Sequence, residues 1–336
     1  DLRPEAVLIL DDLWLQCVFA GVFEALSPRP AMIAYCPVDG DATRPDLYHG
    51  LARYDHLVAF SGYGEDELRR IIESVGERRP AISIAPHGVD TNRFRPPERD
   101  VADRRAAQRA LLGDTGFIVL NANKHDARKR LDITIDGFAR FARDKPDDVK
   151  LYLHAGATFA GPDLRSLAQA AGVSDRLIVS DGWLDDHPSV SDNRLAAIYA
   201  AADVGVNTSG GEGWGLVSFE HGATGAPQLI PDHSACGPLW RDVETRLPPR
   251  RAGEHHALGM MRRFVDAADV AAMLQRLYAD RDFRRAQGEA ALDLATRPDF
   301  AWAAIAEGWK SLLFRLIDSR KVDATTATDC TEAIAP

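Results

Sequence analysis

Two glutamates, Glu212 and Glu220, stand with seven residues between them in the segment Asn207-Thr-Ser-Gly-Gly-Glu-Gly-Trp-Gly-Leu-Val-Ser-Phe-Glu220. The apolar run before this segment reads as a strand, the glycines as a turn and the residues from Leu216 onward as the start of a helix. A glycine turn that opens a helix presents free backbone N–H groups and the positive end of the helix dipole, which suits a phosphate. Carboxylates are poor neighbours for phosphate but good acceptors for sugar hydroxyls. Amides and glutamates side by side therefore point to a phosphorylated sugar.

A second cluster lies in Leu120-Asn-Ala-Asn-Lys124-His-Asp-Ala-Arg-Lys129-Arg-Leu-Asp132, which reads as a strand, a basic loop and a helix. Strand ends of one doubly wound sheet share a ligand crevice, so Lys124, Lys129 and the glycine loop should converge. Cations and free amides together suit a diphosphate. Either element alone has an ordinary explanation, since a glycine turn is usually a connection and a Lys/Arg run is usually a solvated face. The combination in one sheet carries the inference.

The elements that must position these residues follow from periodicity. Short apolar runs at Ala6–Leu10, Ala31–Tyr35, His56–Phe60, Ala81–Ala85, Phe117–Asn121, Val149–His154, Arg176–Val179, Val204–Asn207 and Gln228–Ile230 alternate with helical patterns. That alternation predicts an α/β protein with parallel sheets covered on both faces. Leu131, Ile135, Phe138, Ala139 and Ala142 form one apolar stripe of a helix that should pack on the second sheet. Pro96, Pro97 and the charged stretch after them place a domain break near residue 110. A final amphipathic helix is expected over 298–320, from the spacing of Phe300, Trp302, Ile305, Trp309, Leu312, Leu313 and Leu316. The small, polar residues 321–336 read as a disordered tail.

At 336 residues the chain suits two domains, and its formal net charge of −10 argues against a nucleic-acid partner. Cys17, Cys36, Cys236 and Cys330 form no C-x-x-C pair and no zinc-ligand spacing. Neither a spanning segment nor a signal-peptide pattern is apparent, so a cytoplasmic location is expected, with room for peripheral membrane contact.

The paired glutamates, in their E-G-x-G-L…E setting, resemble the motif of the family 4 retaining glycosyltransferases. Pro86-His-Gly-Val-Asp90, Phe94-Arg-Pro96, Leu195–Asp203 and Gly225-Ala-Pro-Gln-Leu-Ile-Pro-Asp232 resemble further segments of that family, so the likeness spans roughly residues 55–315. The resemblance implies the GT-B fold, two Rossmann-like domains facing a cleft. The acceptor-side domain would be 1–110, completed by the helix 298–320, and the donor-binding domain 111–297. It implies that Glu220 accepts hydrogen bonds from the ribose of the nucleotide and Glu212 from the transferred sugar. Lys129 would contact the diphosphate, with Lys124 standing where the family most often has Arg and Arg130 where it usually has glycine. The amides of Trp214, Gly215 and Leu216 would hold the distal phosphate, with Gly213, Val217 and Asn123 completing the donor side. Glu212, Lys124 and Lys129 would carry catalysis.

The implied reaction moves a hexose from a nucleotide sugar of the GDP-mannose or UDP-glucose type to a hydroxyl of a glycan or lipid-linked acceptor, with retention of configuration. No cofactor and no metal are implied. A glycoside phosphorylase or nucleotide-sugar epimerase on the same architecture is the alternative enzyme class, and a nucleotide-sugar-binding module the non-enzymatic one. Asp39-Gly40-Asp41 has a D-x-D spacing that can hold a divalent metal, although Asp39 and Gly40 fit the acceptor side better, together with His87. Asp1–Leu10 resembles a middle strand of a GT-B first domain, so that domain is expected to be truncated.

Overall fold

The computed structural model describes residues 4–76, 79–97, 116–158, 161–180, 190–255 and 257–332. Two compact units divide the chain, one made of Asp1–His87, Glu254–Met261 and Trp302–Pro336, the other of Gly88–Gly253 and Arg262–Ala301. The break expected near residue 110 lies outside the described residues.

The first unit carries β1 (Ala6–Leu10), α1 (Leu13–Glu24), β2 (Ala31–Cys36), β3 (Asp41–Ala42), β4 (His56–Ala59), α2 (Gly62–Val75) and β5 (Ala81–Ile84). Strands β1, β2, β4 and β5 form a parallel sheet in that order. The inner strands have no polar face to spare, and every residue of β2 is buried, as expected of a parallel strand covered on both sides. Ser61 caps α2 by accepting the Gly64 amide at 3.2 Å, and the helix buries Leu68, Ile71 and Ile72.

The second unit carries β6 (Phe117–Asn121), α3 (Leu131–Ala142), β7 (Val149–Leu153), α4 (Leu164–Ala170), β8 (Leu177–Val179), α5 (Asp192–Ala201), β9 (Val204–Val206), α6 (Leu216–Gly222), β10 (Gln228–Pro231), α7 (Cys236–Leu239) and β11 (Arg246–Leu247). It continues through β12 (Arg251–His255) and β13 (Met260–Phe264), between which the chain visits the first unit, and then through α8 (Ala267–Ala279) and α9 (Arg281–Ala295). Within the first unit Met260 and Met261 pair antiparallel with β3. The helix α10 (Trp302–Glu332) closes the first unit. It runs past the end at 320 read from the apolar pattern, because a helix already nucleated extends at little cost.

Six strands of the second unit form a parallel sheet in the order β11-β10-β9-β6-β7-β8. The chain thus builds outward from β6 in one direction, returns, and builds outward from β9 in the other. The loops that leave the carboxyl ends of β6 and β9 lie at this reversal, the place where doubly wound sheets bind their ligands. The stripe on α3 behaves as its spacing predicts, with Leu131, Ile135, Phe138 and Ala142 buried against the sheet and Ala139 partly so.

Candidate functional site

The two clusters singled out in the sequence are the loops after β6 and β9. Buried polar side chains tie them together. Asn121 Nδ2 donates to Thr134 Oγ1 at 2.9 Å, Thr134 and Thr208 hydroxyls meet at 2.7 Å, and Thr208 Oγ1 donates to the Arg130 carbonyl at 2.8 Å. The Gly210 amide donates to the Arg128 carbonyl at 2.7 Å, and the Arg128 guanidinium donates to the Gly211 carbonyl. A satisfied buried network of this kind fixes one geometry, because each bond broken leaves a desolvated partner.

Glu212 sits at the centre of this arrangement and is 4% exposed. Its Oε1 accepts from Lys129 Nζ at 2.5 Å and from Asn207 Nδ2 at 3.3 Å, while Arg128 lies 3.5 Å from Oε2. Burial pushes the carboxyl up, but the charges of Lys129 and Arg128 and the hydrogen bonds from Lys129 and Asn207 outweigh it and hold Glu212 below the usual carboxylate range. The side chain is therefore an ionised acceptor in a dry site.

The residues after Glu212 supply donors. Among the described residues the amides of Gly213, Gly215 and Leu216 have no hydrogen-bond partner, whereas those of Ser218 and Phe219 turn back to the Gly215 carbonyl. Gly215 adopts φ 93°, ψ 50° at the mouth of α6, a conformation that a side chain disfavours. Trp214 is buried, its ring stacked on Phe219 at 4.8 Å and edge-on to Phe300 at 5.1 Å, which anchors the middle of the loop. Leu216 is exposed and Val217 half-buried. The seven residues of α6 make only two turns, so individual amides matter more here than a summed dipole.

Glu220, on α6, has different surroundings. Its Oε2 accepts from the Tyr199 hydroxyl at 3.1 Å. Burial pushes its pKa up to about 7, with Asp192 adding to the rise and Tyr199 and Arg93 opposing it. Arg93 is engaged by Asp192 at 2.6 Å. The Tyr199 ring stacks on His221 at 5.3 Å and packs against Phe94 at 5.6 Å, so the phenol that holds Glu220 is itself held.

Of the other residues named from the sequence, Lys124 is exposed in the loop after β6, and Asn123 is buried, with its amide and Nδ2 both donating to Asn121 Oδ1 at 3.0 Å. Arg130 takes φ 51°, ψ 49°, the left-handed conformation that explains why glycine would suit this position and that costs an L-residue about 1–2 kcal/mol. Its guanidinium pairs with Asp132 at 2.7 Å and lies over Phe264. Asp39, Gly40 and His87 belong to the first unit. Asp39 is half-buried and Gly40 buried after β2, and Asp41 accepts from the Tyr63 hydroxyl at 2.7 Å. His87 lies among Tyr35, Phe60 and Trp302, with the Phe60 ring at 4.2 Å. Burial lowers its pKa to about 4, so the imidazole is neutral. Among the described residues no three His, Cys, Asp or Glu side chains converge as a metal site, and no helix is long and apolar enough to cross a membrane.

Four residues around the two glutamates were not singled out as site residues from the sequence. Arg128 and Asn207 lie inside the two motifs and could have been found there. Tyr199 and Ser234, whose hydroxyl accepts the Glu212 amide at 3.1 Å, come from separate segments with no spacing to mark them.

Comparison with known proteins gives a consistent picture. A model of the family 4 glycosyltransferases in conflict systems matches residues 55–308. A D-inositol 3-phosphate glycosyltransferase from Nocardia farcinica is 31% identical over 265 residues, which cover 77% of this chain and 52% of that protein. The chain spans about half the length of the curated relatives it matches. Sucrose-phosphate synthase from Thermosynechococcus elongatus superposes with a TM-score of 0.71 at 23% identity, over 93% of this chain and 74% of that one. Anabaena HepE, solved in complex with UDP and glucose, superposes with a TM-score of 0.66 at 17% identity, over 92% of this chain and 78% of that one.

Proposed function

The chain belongs to the family 4 glycosyltransferases and has the GT-B fold, and from that premise we propose that it transfers a hexose from a nucleotide sugar bound at the loops after β6 and β9 to an acceptor hydroxyl. One observation carries the reading: an ionised, buried Glu212 is followed by Gly213, Gly215 and Leu216, whose backbone amides have no hydrogen-bond partner among the described residues. Amides and lysines take the diphosphate, and Glu212 takes hydroxyls of the sugar. Lys129 serves both, because an ammonium has three N–H donors and Glu212 uses one of them. Glu220 accepts from the ribose. Asn123 and Val217 shape the same site, and Asp39, Gly40 and His87 belong to the acceptor side.

Charge grows on the diphosphate as the bond to the anomeric carbon breaks. Lys124, Lys129 and the amides of Gly213, Trp214, Gly215 and Leu216 would stabilise it, a role in which one lost donor costs about 10²–10³ in rate. The acceptor hydroxyl arrives on the face the diphosphate leaves and gives its proton to a phosphate oxygen, so configuration is retained without a protein nucleophile. The donor is of the UDP-glucose or GDP-mannose type, and the acceptor a glycan or lipid-linked hydroxyl. UDP and glucose bound to HepE support the donor class.

The test is to incubate the chain with UDP-glucose or GDP-mannose and a series of glycan and lipid-linked acceptors, in chelator. Release of nucleoside diphosphate and the anomeric configuration of the product are then followed by NMR. Acceptor-dependent release with a retained anomer is expected, and it should persist in chelator. Phosphate-dependent cleavage of a disaccharide would favour the phosphorylase instead, and no saturable binding of any nucleotide sugar would overturn the reading.

A further inference from the structure

The two non-glycine residues with positive φ among the described residues are Arg130, at 51°, and Ser234, at 48°. Both lie on loops that grip Glu212. Arg130 ends the basic loop whose Arg128 and Lys129 hold the carboxylate. Ser234 lies in the loop between β10 and α7, which approaches Glu212 from the backbone side. Its hydroxyl accepts the Glu212 amide at 3.1 Å, and the next residue, Ala235, donates its own amide to the Glu212 carbonyl at 3.2 Å. Both peptide groups of Glu212 are thus fixed by this loop, and neither is fixed by α6. Strained backbone persists only where the surroundings over-determine it, and it gathers where a geometry has to be held.

We propose that Ser234 is a positioning residue that sets Glu212 for the hydroxyls of the donor sugar, an inference that rests on the donor-site reading above. Its left-handed backbone turns the hydroxyl onto the Glu212 amide, and the imidazole of His233, 3.4 Å away, takes part in the same contact. Ser234 is buried and acts through Glu212. Removing the hydroxyl leaves the Glu212 amide without its acceptor and lets the loop between Gly211 and Gly213 shift. Shifts of this size matter because a misplacement of about 1 Å can cost a hundredfold in rate.

The experiment measures affinities for UDP and UDP-glucose, and for GDP and GDP-mannose, by calorimetry in wild type, Ser234→Ala, Ser234→Gly, Glu212→Ala and the Ser234→Ala/Glu212→Ala double variant. Ser234→Gly keeps the positive φ accessible without strain, so it folds even if Ser234→Ala does not. Both Ser234 variants are expected to leave the nucleoside diphosphates within about twofold and to weaken the matching nucleotide sugar about tenfold, equal to about 1.4 kcal/mol. The double variant should bind no worse than Glu212→Ala alone, because the two residues act as one. A wild-type ratio of the two affinities in Ser234→Gly, an equal loss for both ligands, or additive losses in the double variant would overturn the assignment. Failure of the wild-type chain to bind either nucleotide sugar overturns the donor-site reading itself and takes this inference with it.

Discussion

Glu212 and Glu220 share one loop–helix segment and carry the same side chain, yet their surroundings drive them in opposite directions. Glu212 is the more buried of the two, but Lys129, Arg128 and Asn207 keep it ionised. Glu220 is pushed up to about 7 by burial, with the like charge of Asp192 adding to the rise and the hydrogen bond from the neutral Tyr199 and the charge of Arg93 too weak to reverse it. Burial alone therefore does not decide the charge of a carboxylate. The balance between burial and the partners brought by other segments does. At neutral pH one glutamate is a permanent anion and the other is poised to gain or lose its proton.

The contrast can be broken most severely at Lys129. Lys129→Ala leaves Glu212 buried with only Arg128 to compensate it, and breaking a buried pair costs about 3–5 kcal/mol. A large drop in the urea midpoint is expected, and an unchanged midpoint would show that Arg128 suffices. Glu212→Gln comes next. Because the folded state holds this group below its ordinary value of 4.5, its contribution is present above that value and lost as pH falls through the folded pKa. The substitution should therefore cost about 1.5–3 kcal/mol at pH 7, the scale of hydrogen bonds to a charged group, and much less in acid.

Glu220→Gln should do the reverse. Its folded pKa is raised from 4.5 to about 7, so the stability that protonation contributes is full below 4.5 and is lost as pH rises through 7. The variant should be more stable than wild type by about 1–2 kcal/mol at pH 8, a figure discounted for partial exposure, and nearly equal to it at pH 4. Thermal melts that show the same difference between Glu220→Gln and wild type at pH 4 and at pH 8 would remove the electrostatic distinction. Under the role proposed for Glu220, as acceptor for the nucleotide ribose, the same titration governs binding. Nucleotide affinity of the wild type should fall faster below pH 7 than that of Glu220→Gln. The smallest effect belongs to Arg130→Gly, where relief of the left-handed strain, about 1–2 kcal/mol, is offset by the lost pair with Asp132, worth about 0–1 kcal/mol. A modest gain in melting temperature is expected, and a clear loss would mean that the contact with Phe264 matters more than the strain.

Much of the fold could be read from the sequence because parallel strands buried on both faces leave unbroken apolar runs, as at Phe117–Asn121 and Ala31–Cys36. The strand order, and with it the reversal between β6 and β9 that locates the site, could not, because pairing is set by contacts far apart in the chain. The Lys129–Glu212 pair spans two recognisable motifs and was open to inference. The raised pKa of Glu220 was not, because it depends on how deeply the tertiary fold buries the carboxyl, with Asp192 of α5 adding to the rise and Tyr199 of α5 and Arg93, from the segment between β5 and β6, opposing it. Arg130 shows the middle case: its departure from glycine is visible in the sequence, but only φ 51° gives the reason.

The central claim is that the two glutamates divide the donor between them, and calorimetric titration of Glu212→Ala and Glu220→Ala with a nucleoside diphosphate and with the matching nucleotide sugar tests it most directly. Glu220→Ala should weaken both ligands by about 10- to 100-fold, from charge-assisted hydrogen bonds of about 1.5–3 kcal/mol. Glu212→Ala should weaken only the intact nucleotide sugar. Wild-type affinity for the diphosphate in Glu220→Ala, or equal losses for both ligands in Glu212→Ala, would contradict the account.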